Sequence, residues 1–120
     1  MPEIKDKKYG KTLFYIDKNE IKDKKYGSTL FFIDGNEVRE KSKYGSVRFY
    51  INGNEIREKS KYGSIRYVID QNEVKERTKY GSVRYYIDGF EIKDKKHGRV
   101  IYYVDGALTR DQLYGFLSIV

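Results

Sequence analysis

Residues 55–72 read EIREKSKYGSIRYVIDQN. Alternation is plain in the second half: Ile65, Tyr67 and Ile69 point one way, Arg66 and Val68 the other. A period of two is the signature of a strand. The first half, Glu55-Ile56-Arg57, alternates around Ile56. Between them lies KSKYGS, where Gly63 is expected to take the positive-φ position of a turn. The unit then closes on Asp70-Gln71-Asn72, which other copies write as Asp34-Gly35-Asn36, Asn52-Gly53-Asn54 and Asp88-Gly89. Asx-Gly between alternating apolar residues is a strong short-range hairpin signal. One unit is therefore two short strands and two turns.

The unit recurs six times from Glu3, with loop glycines at Gly10, Gly27, Gly45, Gly63, Gly81 and Gly98 and a period of 17–18 residues. A repeat of this length is one supersecondary element that buries its apolar side only by packing against its copies. The expected fold is all-β: six tandem β-hairpin repeats arranged around a pseudo-symmetry axis, with a short C-terminal helix. Residues 1–120 form one domain, with hairpin repeats over 3–106 and a capping helix over 107–120. Thr109 and Gln112 spell a capping box, Leu108 and Leu113 a hydrophobic staple. Leu113, Phe116, Leu117 and Val120 then share one helical face.

The inward face is expected to stack Thr12/Phe14/Ile16, Thr29/Phe31/Ile33, Val47/Phe49/Ile51, Ile65/Tyr67/Ile69, Val83/Tyr85/Ile87 and Val100/Tyr102/Val104. Ile4, Ile21, Val38, Ile56, Val74 and Ile92 join it from the first strands. Parity requires a two- or four-residue connection at the second turn. Lys18 and Gln71 stand where other units have Gly, and both disfavour positive φ, so a four-residue loop is the easier solution there.

Units one, two and six carry Leu13, Leu30 and Ile101 at a position expected to face outward, and units three to five carry Arg48, Arg66 and Arg84. The same units three to five have one extra loop residue: Ser42, Ser60 or Thr78. If the array closes into a ring, units six, one and two become neighbours; an open stack explains the split less specifically. Closure makes Leu13, Tyr15, Leu30, Phe32, Ile101 and Tyr103 a candidate apolar interface, for another copy or another protein. It makes Arg48, Tyr50, Arg66, Arg84 and Tyr86 a candidate binding arc for a glycan or an anion.

Units of the form EIRDK-x-YG-x-x-x-YYIDGN followed by a short helix beginning LT resemble the bacterial β-flower repeat domains. The resemblance implies hairpins set as petals about an axis, and no activity. A weaker similarity is to the cell-wall-binding aromatic repeats, which depend on Trp; this chain has no Trp.

Composition bounds the rest. With 38% hydrophobic and 36% charged residues, the core is thin. No Cys is present, so disulfides are excluded and the redox compartment is undetermined. No apolar run approaches the roughly 18 residues of a membrane span, and MPEIKDKK has no signal-peptide core. Localisation is left open. The single histidine, His97, replaces the loop tyrosine (Tyr9, Tyr26, Tyr44, Tyr62, Tyr80), and no nucleophile–base set can be assembled. No enzyme, cofactor or metal is expected. The net charge of +7 permits anionic partners. Because Lys and Arg alternate with Asp and Glu in every unit, nucleic acid ranks behind a protein or glycan partner.

Overall fold

A computed structural model of the chain describes residues 1–120. Repeat one is β1 (Glu3–Lys5) and β2 (Thr12–Asp17); repeat two is β3 (Glu20–Lys22) and β4 (Thr29–Asp34). Repeat three is β5 (Glu37–Glu40) and β6 (Val47–Asn52); repeat four is β7 (Glu55–Glu58) and β8 (Ile65–Asp70). Repeats five and six are β9 (Glu73–Glu76) with β10 (Val83–Asp88) and β11 (Glu91–Lys93) with β12 (Val100–Asp105). Helix α1 (Arg110–Ile119) follows.

The twelve strands form a closed antiparallel barrel, and β1 pairs with β12. That seam copies the junctions between repeats: Ile4↔Val104 and Glu3↔Asp105 reproduce Ile21↔Ile16 and Glu20↔Asp17. Closure therefore costs no new geometry and leaves no exposed strand edge. The shape is a disc, 39 × 38 × 17 Å. An alternating up-and-down ring places every 6–11-type loop at one end and every tight turn at the other.

The tight turn has two central residues in all copies, since Asp17 pairs Glu20 and Asp70 pairs Glu73 as Asp34 pairs Glu37. The longer loop expected at Lys18 and Gln71 is not formed. Both residues instead take φ of 55° and 58°, beside 59° for Gly35. Ring register enforces a uniform turn, and the left-handed penalty of about 1–2 kcal/mol at a non-glycine residue is absorbed. Asn36, the second central residue, does not have positive φ, so the unusual backbone conformation is confined to the first central position.

Each long strand carries a bulge. Ile4 pairs Phe14 but Lys5 pairs Thr12, so Leu13 is unpaired. Leu30, Arg48, Arg66, Arg84 and Ile101 occupy the same place. One extra residue reverses the faces beyond it. Thr12, Thr29, Val47, Ile65, Val83 and Val100 are thus on the outer wall, not the core as their spacing suggested. Thr12 and Thr29 hydroxyls donate to Glu3 and Glu20 there, at 2.7 and 2.8 Å. Two of the bulge residues, expected outside, turn inward: Ile101 packs on the core, and Arg66 reaches the end of α1.

Helix α1 is not a lid. Gly115, Phe116, Leu117 and Ser118 are all buried, and four consecutive residues cover more than one turn. The helix must be enclosed on every side, so its C-terminal half plugs the lumen. Phe116 meets Phe14 and Tyr102 edge-on at 5.6 and 5.3 Å. A Cβ on Gly115 would come 2.6 Å from Ile33 Cδ1, so only glycine allows this approach. The capping box forms as expected, with Gln112 N donating to Thr109 Oγ1 at 3.1 Å and Thr109 N to Gln112 Oε1 at 2.9 Å. Gln112 Nε2 also donates to Lys18 O at 2.9 Å, which ties the helix start to the turn end.

Candidate functional site: the basic loop end of the ring

Six loops, residues 6–11, 23–28, 41–46, 59–64, 77–82 and 94–99, surround one mouth of the barrel. Each contains the same turn, closed by the glycine amide: Gly10 N to Lys7 O, Gly27 N to Lys24 O and Gly45 N to Ser42 O, all at 2.9 Å. Gly63, Gly81 and Gly98 close theirs at 3.0, 3.0 and 2.9 Å. The two central residues are Lys-Tyr in five loops and Lys96-His97 in the sixth. Central turn residues project from the chain reversal, and the tyrosines are 84–90% exposed. Each lysine lies beside its own ring, for example Lys43 Nζ 5.2 Å from the Tyr44 centroid and Lys61 Nζ 5.1 Å from that of Tyr62.

The loop glycines do not have positive φ, contrary to the expectation for Gly63. They are required for space. A Cβ would overlap the Asp6, Asp23 or Asp94 side chain in the short loops, or the Glu40, Glu58 or Glu76 carbonyl in the long ones. The extra residue of the long loops caps its own tip: Ser42 and Ser60 Oγ accept from Tyr44 and Tyr62 N at 3.2 Å, and Thr78 Oγ1 from Tyr80 N at 3.1 Å.

Charge is segregated in three dimensions although it alternates in the sequence. Of 25 basic and 18 acidic residues, 14 basic and 3 acidic ones lie on these loops, a net +11. The remaining 11 basic and 15 acidic residues sum to −4. None of the 14 loop bases forms an ion pair. On the outer wall, by contrast, Lys5, Lys22, Arg39, Lys75 and Lys93 each pair with a turn aspartate at 3.0–3.7 Å. Hydrogen bonds donated to Asp105, Asp70 and Asp88 hold Lys5, Lys75 and Lys93 above the usual lysine range. The turn aspartates are thus occupied by bases of the same wall.

The two arcs expected from the sequence are each divided by the barrel wall. Tyr50 pairs Arg57 and Tyr86 pairs Lys93 on the outside, whereas Arg48, Arg66 and Arg84 lie over inner rings. Arg48 sits 5.8 Å from the Phe49 centroid, Arg66 5.0 Å from Tyr67 and 5.3 Å from Phe49, and Arg84 5.5 Å from Tyr85. Likewise Tyr15, Phe32 and Tyr103 pair Lys22, Arg39 and Lys5 on the outside, away from Leu13, Leu30 and Ile101. Bulge parity is the reason in both cases.

The arginines also have internal duties. Arg48 pairs with Glu40. Arg66 Nη2 donates to Val120 O at 3.2 Å, beside Tyr67 Oη, which donates to the same oxygen at 2.9 Å. An open cleft of about 620 Å³ next to them is lined by Glu58, Ser64, Ile65, Arg66, Tyr67, Glu76 and Arg77. Its two arginines are balanced by two glutamates, so it has no net attraction for an anion.

Sequence reasoning treated the KYG loops as connectors. The signal was present in their composition, but only the ring puts all six at one end. No protein family, characterised protein or solved structure matches the chain.

Proposed function

We propose that the chain is a non-enzymatic ring scaffold that binds a polyanionic partner through its six loop tips. The observation that carries this is the unpaired +11 charge gathered at one end, beside five nearly fully exposed tyrosines. Solvated charge with no internal partner can meet an external anion without breaking an ion pair, whereas the wall bases would first have to leave their aspartates. Six weak contacts on one rigid frame gain by avidity, since each later contact is intramolecular. Exposed lysines also steer an anion toward that face. Kinship with the β-flower domains is proposed on repeat and tail alone, and adds no activity.

Self-association was the competing use of the surface. It draws less support here, because the apolar arc is split by the wall and the acidic turn end is neutralised in place.

Retention on a sulfated polysaccharide matrix tests the proposal. The protein is expected to bind at low salt and to release as salt screens the contacts. Lys43→Gln with Lys61→Gln should lower the eluting salt clearly. Lys18→Gln with Arg110→Gln, an equal charge loss at the turn end, should leave it nearly unchanged. Equal shifts for the two pairs would show that only net charge matters, and the loop end would lose its role.

A further inference from the structure

We infer that the polyanion is a flat one: the loop end docks on a lipid bilayer bearing anionic headgroups. This rests on the proposed polyanion reading and goes on to name the partner.

The first reason is geometric. The six loops belong to one end of a closed ring and share the same glycine-closed turn, with the loops of repeats three to five one residue longer. Their tips are spread around a disc 39 × 38 Å across and 17 Å thick. A broad surface can meet several of them at once. A linear chain follows an edge and meets a few, and a globular partner of ordinary curvature meets fewer still.

The second reason is chemical. Each of five tips offers one tyrosine and one adjacent lysine, with the ring 84–90% exposed. Tyrosine prefers the headgroup level of a bilayer, where its apolar ring and polar hydroxyl are both satisfied. Lysine beside it meets headgroup phosphate, and basic residues near an anionic leaflet each add attraction. Neither side chain is committed elsewhere: the loop lysines form no ion pairs, and the tip phenols form no hydrogen bonds within the protein. The sixth tip, Lys96-His97, retains the charge and lacks the phenol.

The third reason concerns the rest of the surface. Beyond the loops the chain carries −4, with its turn aspartates paired on the wall, so the attraction is confined to the loop end and the orientation is defined. Attachment is peripheral, through side chains at the interface. No helix of the chain is long and apolar enough to cross a membrane.

The test uses the full chain and vesicles of phosphatidylcholine, with and without about one third phosphatidylglycerol. Sedimentation should show binding to the anionic vesicles and none to the neutral ones. The chain has no Trp, so Tyr44→Trp gives a single clean reporter, and its emission should shift to the blue on anionic vesicles. Changing Tyr9, Tyr26, Tyr44, Tyr62 and Tyr80 together to Ser keeps every charge. It should weaken vesicle binding at least tenfold and leave retention on the sulfated polymer within twofold. All five rings are exposed, so the fold should persist, and an unchanged circular dichroism spectrum checks this. Retention on the polymer without vesicle binding would overturn the membrane inference and leave the polyanion proposal standing. So would a serine variant that loses polymer or single-stranded DNA binding as severely as vesicle binding, which would make the rings stacking platforms for a linear chain. Absence of both polymer and vesicle binding would overturn both proposals.

Discussion

Repeats six, one and two differ from repeats three to five in what they offer the helix. The first half-ring presents Ile101, Leu13 and Leu30 at the bulge, and its Tyr102 and Phe14 clasp Phe116. Its Ile33 fits against Gly115. The second half-ring presents Arg48, Arg66 and Arg84, and Arg66 with Tyr67 receives the Val120 oxygen. A helix leaves its last carbonyls without partners and carries partial negative charge at that end. No basic residue in its own last turn compensates. The second half-ring supplies the missing donors. A six-fold ring can hold a single helix only if its copies differ, and the departures from the repeat are written where the helix needs them. The Lys-Tyr pair that recurs at five of the six loop tips faces solvent instead.

The largest effect should come from removing what the apolar half clasps. Phe116 is fully buried between Phe14 and Tyr102. Phe116→Ala is expected to cost on the order of 3–5 kcal/mol, read from urea denaturation. A cost below about 1 kcal/mol would mean that the helix is not integral to the core.

The loops of the two half-rings can be compared directly. Gly63→Ala drives a methyl group into the Glu58 carbonyl, which the strand ladder holds in place. Gly10→Ala meets the Asp6 carboxylate, a side chain that can rotate away at the loss of its 2.9 Å bond from Lys11 N. The long-loop change should cost about 2–3 kcal/mol and the short-loop change about 1 kcal/mol. Equal costs would show that the extra loop residue makes no difference to how tightly the loop is held.

A smaller effect separates repeats four to six, whose inner aromatic is Tyr, from repeats one to three, where it is Phe. Burial first, then neighbouring phenols, raises Tyr85 and Tyr102 above the usual value near 10.0. The neutral form is favoured in the folded state, so the contribution is fully present below about pH 10 and is lost as pH rises through the raised values. Lys5, Lys75 and Lys93, also raised, act with the same sign. The melting temperature should fall by a few degrees between pH 9 and pH 11. Tyr85→Phe with Tyr102→Phe should flatten that fall; an unchanged slope would assign it to the lysines and their aspartates.

The hairpin unit, its two turns, its six-fold recurrence and the capping box were all legible in the residues, because period-two alternation, Asx-Gly pairs and Thr-x-x-Gln are local signals. The bulge was not legible. VRFYI and TLFYI read as unbroken alternation, and nothing in residue type marks Arg48 or Leu13 as the residue without a partner. One missed residue reverses the faces, and so both candidate arcs were assembled from residues on opposite sides of a wall. The role of the loop glycines was not legible either, since glycine serves positive φ and close approach alike and the sequence does not distinguish them.

By itself, the sequence determined the strands, the turn chemistry and the fact that copies must pack on copies, because each follows from interactions within about ten residues. Only the tertiary structure decided which side each residue faces, that the tail plugs the lumen, and that the charge separates. Lys and Glu alternate along every unit, yet strands and loops go to different places when the ring closes. Seam pairing between Ile4 and Val104 is a contact across nearly the whole chain, and it turns five scattered Lys-Tyr loops and one Lys-His loop into one charged face.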